Sequence, residues 1–302
     1  MRKTLFSGIA ACLLATAATA AEQSPSVIWT VGQADRSASE FALAPDRFRD
    51  FLANDFGYED KYFLVGHSVP AADFPYVLPG PADTWGGTWP TSGWRTHQVN
   101  ILFGLKEIPS DGTCTLVVDL LDYAKNFLPL VKVSVNTQDA KFQLDAPGLS
   151  VADQRKPNQM EKIVDTLSIT GNLTKATPRR LEIPIRPGVL KAGGNEVTIT
   201  VLEGSWILFD RVSLEGPAGT KVEQPQQLFI RNIEAAPYEL ADGKRRVQPL
   251  LVDLEWLEGA PALSVELDGK EILNQRIETG RYQLEAPMPQ VKKAKKSAYR
   301  IL

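Results

Sequence analysis

The chain has 302 residues, 23% charged and 43% apolar, with a formal net charge of −3. This composition excludes global disorder, and the length suffices for one large domain or two of ordinary size. No basic stripe precedes the last dozen residues, so nucleic acid is not an expected partner.

The N-terminus reads as an export signal. Arg2 and Lys3 precede an apolar, Ala-rich stretch from Leu5 to Ala18, and the small Ala18 and Ala20 suit cleavage just before Ala21 or Glu22. The stretch is shorter than the roughly 20 apolar residues of a bilayer-spanning helix, so no membrane span is expected. Ile9-Ala10-Ala11-Cys12 loosely resembles a lipoprotein box, but its upstream apolar run is short. The expectation is therefore a secreted or periplasmic protein without a lipid anchor at Cys12. Cleavage removes Cys12 and leaves Cys114 alone, so the mature chain has no internal disulfide. Cys114 lies in the apolar run "TCTLVVDLLDY", where a buried, unreactive thiol is expected.

"SVIWTVGQAD" opens the mature part as a strand, a short helical turn can follow Pro45, and "KYFLVG" is another strand. The segment "DFPYVLPGPADTWGGTWPTSGWRTHQVNILF", residues 73–103, then gathers Trp85, Trp89 and Trp94 among Gly and Pro. From His97 onward strands dominate. "HQVNILFGL" puts Val99, Ile101 and Phe103 on one face, and "CTLVVDLLDYA" is apolar enough to be central. "PLVKVSVNT" sets Val131, Val133 and Val135 against Lys132, Ser134 and Asn136. "NQMEKIVDTL" suits a helix or a loop with a short strand. "EVTITVLEG" and "SWILFDRVSLEG" are strong strands, with Trp206 expected in the core. After the linker-like "AGTKVEQPQ" come four short strand segments, with an Asp-Gly turn signal in "LDGK" and a strand beginning at "SAYRIL".

About a dozen short strands, regular turn residues and no sustained helical period predict an all-β sandwich architecture. The divisions are a signal peptide at 1–21, a sandwich at 22–217, a linker at 218–227 and a smaller, incomplete β-sandwich at 228–302. Four strands barely make one face of a sandwich, so the chain is expected to be the N-terminal part of something longer.

Catalytic signatures are sparse. His67 and His97 fall in no zinc-binding spacing, and there is neither a nucleophile elbow nor a P-loop. Asp83, Asp119, Asp122 and Asp210 are default candidates for an acid pair, although turn caps and solvated strand positions are the ordinary places for such residues. No metal ligands are identified. The tryptophans carry more. A pyranose ring stacks its C–H face on an aromatic ring, while its hydroxyls take hydrogen bonds from amides and carboxylates. Tyr76, Asp83, Trp85, Trp89, Trp94 and Arg95, with Asn100 nearby, supply both halves on a loop. The competing reading plugs these rings into one end of the sandwich.

"IWTVGQADRSASEF", "KYFLVGHSVPAADFPYVLPGPADTW" and "GSWILFDRVSLEG" resemble the signature segments of the carbohydrate-binding-like jelly-roll domain that forms the third domain of rhamnogalacturonan lyases (polysaccharide lyase family 4). The resemblance spans about residues 27–217 and implies a galactose-binding-like jelly roll. "LFIRNIEAAPYELADGKRRVQPLLVDLEWLEGAPALSVELDGKEIL" is similar to the sandwich segment preceding the catalytic domain of bacterial family-38-type alpha-mannosidases. With the export signal and the sparse catalytic signatures, these resemblances point to an exported, non-catalytic module whose partner is a polysaccharide or glycan, with no cofactor beyond the structural Ca²⁺ that such jelly rolls can hold. No acidic cluster in the sequence demands that ion. The alternatives are the front of a glycoside hydrolase or rhamnogalacturonan lyase whose catalytic domain is missing here, and a structural spacer with the Trp cluster buried.

Overall fold

The computed structural model describes residues 26–58, 60–87, 96–109, 113–145, 168–242, 245–259, 262–288 and 298–301. The expected helix or strand within "NQMEKIVDTL" lies outside them. Nineteen strands are present among the described residues, in chain order. They are β1 (Ser26–Gly32), β2 (Tyr62–Leu64), β3 (Val77–Leu78), β4 (Gln98–Leu105), β5 (Cys114–Tyr123), β6 (Leu130–Val135), β7 (Gln138–Gln143), β8 (Arg179–Ile185), β9 (Gly193–Glu203) and β10 (Ile207–Gly216). There follow β11 (Val222–Glu223), β12 (Leu228–Ala235), β13 (Leu240–Asp242), β14 (Arg245–Val247), β15 (Pro249–Trp256), β16 (Ala262–Leu267), β17 (Lys270–Arg276), β18 (Gly280–Pro287) and β19 (Tyr299–Ile301).

Two sheets form the larger sandwich. One runs β1-β10-β5-β8 with β3 beside β10, and the other runs β11-β4-β9-β6-β7 with β2 beside β4. β2 pairs with β4 in parallel, and the other pairings are antiparallel. The predicted alternation of Val131, Val133 and Val135 holds. They are buried and meet Val197, Ile199, Leu116, Val118 and Val212 in one core. Each such side chain stabilises the fold by about 1.5–3 kcal/mol. β5 is central in its sheet, as its apolar sequence suggested, and Cys114 is buried there. β8 carries Pro184 within its span and lies at the sheet edge, where a missing N–H disrupts no ladder.

The second unit has sheets β12-β15-β18 and β17-β16-β19, with the hairpin β13-β14. Asp268 and Gly269 both have positive φ, 51° and 76°, which is the two-residue turn that "LDGK" signalled between β16 and β17. Its own core gathers Val252, Leu254, Trp256, Leu263 and Val265. The chain is thus an all-β protein of two sandwich units. The stretch expected to be a linker contains β11, which pairs Val222 and Glu223 with Leu105 and Gly104 of β4. The units meet through Leu64 and Leu102 of the first and Phe229 of the second, with Tyr62 and Leu257 beside them.

Candidate functional site

The Trp-rich segment is built inward from its start. Pro70 opens a one-turn helix, Pro70–Asp73, with its fixed φ at the first position. Val77 and Leu78 then pair with Leu208 and Ile207 of β10. This pairing draws Tyr76 into the core, where it is 1% exposed and its hydroxyl donates to the Ile169 carbonyl at 2.7 Å. Burial pushes its phenol pKa well above the ordinary range. A ring with no free face cannot stack on a sugar, so the expected binding role of Tyr76 is corrected to a packing role.

Asp83 is likewise structural. It is 8% exposed and accepts from the Gly80 N–H at 2.9 Å and the Ser205 hydroxyl at 2.6 Å. The Trp85 side chain donates to it as well. Burial raises its pKa from 3.8 to about 6, against the lowering effect of those bonds. Its oxygens are committed to the protein, so the expected contact with sugar hydroxyls is replaced by a latch.

Trp85 is half-buried. Its ring meets Phe48 edge-on at 5.1 Å and Phe51 at 6.0 Å between centroids. Part of the indole therefore belongs to the core and part stays accessible. Trp89, Trp94 and Arg95 lie outside the described residues. Asn100 is buried on β4, where its amide donates to the Lys61 carbonyl at 3.1 Å. Trp206 is buried in the core, as expected.

Three loops converge beside Asp83. The Ala82 N–H donates to the Gly204 carbonyl at 2.9 Å, and the Ser205 N–H donates to the Phe127 carbonyl at 2.9 Å. Gly204, at φ 81°, leaves no room for a side chain, since a Cβ would stand 2.3 Å from the Leu128 carbonyl oxygen. Ser205 thus ties the loop of Asp83 and Trp85 to the loop after β5. That second loop carries Phe127, which is 50% exposed. Sequence reasoning missed Phe127. The available signal was an aromatic residue in a turn, "KNFLP", between two apolar strands. Beneath it, Lys125 Nζ donates to Asp122 at 2.5 Å and to the Tyr123 carbonyl at 2.7 Å, which stiffens the loop base.

The candidate acids are engaged elsewhere. Asp119 receives Arg211 at 2.9 Å and Asp122 also accepts from the Thr177 N–H at 3.0 Å. Asp210 accepts from the Arg36 N–H at 3.0 Å, and burial raises its pKa to about 6, with Asp35, Asp119 and Glu40 adding to the rise. His97 donates to the Gly87 carbonyl, and burial lowers its pKa, so the ring stays neutral near pH 7. His67 is exposed. Calcium takes six to eight oxygen ligands, including carboxylates. Among the described residues no three His, Cys, Asp or Glu side chains come together as a group that could hold a metal ion. No helix among the described residues is long and apolar enough to cross a membrane.

A family model described as CBM-like, polysaccharide lyase family 4, domain III, matches residues 27–214. No curated protein matches the chain. Similar solved structures include a family GH115 4-O-methyl-alpha-glucuronidase with specificity for decorated arabinogalactans. It is 18% identical with a TM-score of 0.23, over 39% of this chain and 13% of that one. A GH2 beta-galacturonidase from Eisenbergiella tayi is 9% identical with a TM-score of 0.20, over 67% of this chain and 33% of that one. A putative beta-galactosidase from Bacteroides fragilis is 9% identical with a TM-score of 0.21, over 67% and 26%. The chain spans at most a third of the length of these structures, and at such TM-scores they carry nothing further. The family match ends before the second unit, so the mannosidase resemblance of residues 228–302 has no counterpart in it.

Proposed function

The chain belongs to the CBM-like domain III family of polysaccharide lyase family 4, and from that premise we propose that it is an exported, non-catalytic glycan-binding protein. It serves a glycoside hydrolase or polysaccharide lyase, separate from it or joined to it. Binding takes place at the loop end of the larger sandwich. Phe127 offers a ring face to the C–H side of a pyranose, the accessible part of Trp85 adds to the platform, and the loop backbone meets the hydroxyls. Each such contact is weak, and linkage to an enzyme raises the effective concentration of substrate. The observation that carries this reading is the half-exposed Phe127 ring, on a loop whose backbone Ser205 ties to the loop of Asp83 and Trp85.

Affinity electrophoresis through gels containing pectic polysaccharide or mannan tests it. The parent protein is expected to be retarded in at least one gel, and Phe127→Ala and Trp89→Ala are expected to run faster there at an unchanged melting temperature. Equal mobility of parent and variants in every gel favours the spacer reading instead. The packing of Trp85 on Phe48 and Phe51 is the observation on that side.

A further inference from the structure

A second concavity lies away from the loop end, where β12 crosses the outer face of the β4–β9–β6 sheet. A cavity of about 280 Å³ is walled there by Thr137, Glu196, Thr198, Arg231, Asn232 and Arg281, among others. A neighbouring cavity of about 750 Å³ shares Lys191, Gly194, Phe229, Arg231 and Asn232 with it. The close approach is built in. A Cβ on Gly194 would stand 2.2 Å from the Ile230 carbonyl oxygen and 2.9 Å from that of Arg231.

The cations in these walls are unequally satisfied. Arg281 is held by both oxygens of Asp253, at 3.1 and 2.8 Å. Arg231, with its side chain 7% exposed, donates through Nε to Glu255 at 2.6 Å and lies over the Tyr62 ring at 5.3 Å. Its Nη2 has no hydrogen-bond partner among the described residues. Lys191 Nζ reaches the Asn232 side-chain oxygen at 3.0 Å and the Arg231 carbonyl at 3.5 Å. It meets no carboxylate among the described residues. Arg231 is paired with Glu255 and Arg281 with Asp253, whereas the Lys191 ammonium makes no ion pair among the described residues. Glu196, 43% exposed and 3.7 Å from Arg231 Nη1, is the remaining carboxylate nearby.

We propose that this cleft binds a hydroxyl-bearing monocarboxylate, its carboxylate facing Lys191 and Arg231 and its hydroxyls facing Thr137 and the Asn232 amide. A carboxylate is the acceptor that an unmatched ammonium and a guanidinium N–H both prefer. One negative charge suits the walls. Inorganic phosphate, mono- and dianionic in comparable amounts at pH 7, lacks the hydroxyl-bearing carbon frame for Thr137 and Asn232 to hold, and its dianion is repelled more strongly than a monocarboxylate by Glu196 and Asp253. The smaller cavity lies at the lower edge of the roughly 300–1,000 Å³ range of small-molecule sites, so it suits one sugar-sized acid rather than a chain. Two sources share this chemistry, a uronic acid and a free aldonic acid. The site is separate from the loop end and stands or falls independently of it.

Calorimetric titration of the whole chain at pH 7 with sodium glucuronate, sodium gluconate, glucose and inorganic phosphate tests the proposal. At least one of the two acids is expected to bind saturably, at least tenfold more tightly than glucose or phosphate. A response to glucuronate alone assigns a uronic acid, and a response to gluconate alone assigns a free aldonic acid. Lys191→Gln is expected to weaken that binding at least tenfold. Asn232→Asp, nearly isosteric, places a carboxylate against Lys191 and is expected to do the same at an unchanged melting temperature. It decides the matter if Lys191→Gln does not fold. The proposal is overturned if neither acid saturates, if glucose or phosphate binds as well as the acids, or if folded Asn232→Asp binds like the parent.

Discussion

Asp83 holds a charged carboxylate in a buried place. The Gly80, Ser205 and Trp85 donors compensate only in part, and its pKa rises from 3.8 to about 6. A folded-state value above the unfolded one means that the group favours the folded state when protonated. Its contribution is therefore fully present below about pH 4 and is lost as pH rises through about 6. A shift of this size corresponds to on the order of 3 kcal/mol. Asp210 is raised in the same direction, also to about 6. Thermal melting between pH 4 and 7 is expected to show the melting temperature falling across that window. Asp83→Asn, which cannot titrate there, is expected to flatten the slope. An identical slope in the variant would assign the pH dependence to other groups. Asp83→Ala instead orphans the Gly80 and Ser205 donors and is expected to destabilise by about 1–3 kcal/mol at neutral pH, measured by urea unfolding. Residue type in the sequence marked Tyr76 and Asp83 as sugar ligands. Their burial follows from the pairing of Val77 and Leu78 with β10, a contact between positions about 130 apart that local sequence does not encode.

At the scale of elements, the turn between β9 and β10 organises the loop end. Gly204 sits at φ 81°, with the Leu128 and Phe127 carbonyl oxygens where a Cβ would have to go. Gly204→Ala meets both the left-handed strain and a backbone clash, so a loss of about 2–4 kcal/mol in urea unfolding is expected. Because the displaced loop carries Phe127, glycan retardation is expected to fall with it. Retention unchanged in a destabilised variant would separate the binding surface from this turn. Most strands were legible because they are local patterns. The alternation of β6, the apolar run of β5 and the Asp-Gly turn between β16 and β17 each lie within ten or so residues. β11 was not legible. "AGTKVEQPQ" has the composition of a linker, and only the exposed edge of β4 turns Val222 and Glu223 into a strand.

For the whole molecule, the junction between units decides whether they melt together. Leu64, Leu102 and Phe229 form its apolar part, and the Arg231–Glu255 pair lies beside them, with Glu255 almost wholly buried. Burial raises the Glu255 pKa while Arg231 opposes the rise, so the two are electrostatically dependent. Scanning calorimetry is expected to give one cooperative transition for the parent. Phe229→Ala removes about 3–5 kcal/mol of packing and is expected to split it into two. Two separate transitions already in the parent would mean that the junction contributes little. Arg231→Met, which strands Glu255, is expected to lower the second unit's stability by about 3–5 kcal/mol.

The sequence alone determined the all-β class, most strand positions, the core placement of Trp206 and the three segments that mark the family. These are carried by alternation, turn residues and short motifs, all of which act over a few residues. Tertiary structure decided which aromatic rings reach solvent, which carboxylates become latches, and that β12 roofs a polar cleft on the neighbouring sheet. Burial is a property of surfaces brought together from distant parts of the chain. The loops of Phe127 and Asp83 are joined because Ser205, far from both in sequence, hydrogen-bonds to one through its N–H and to the other through its hydroxyl.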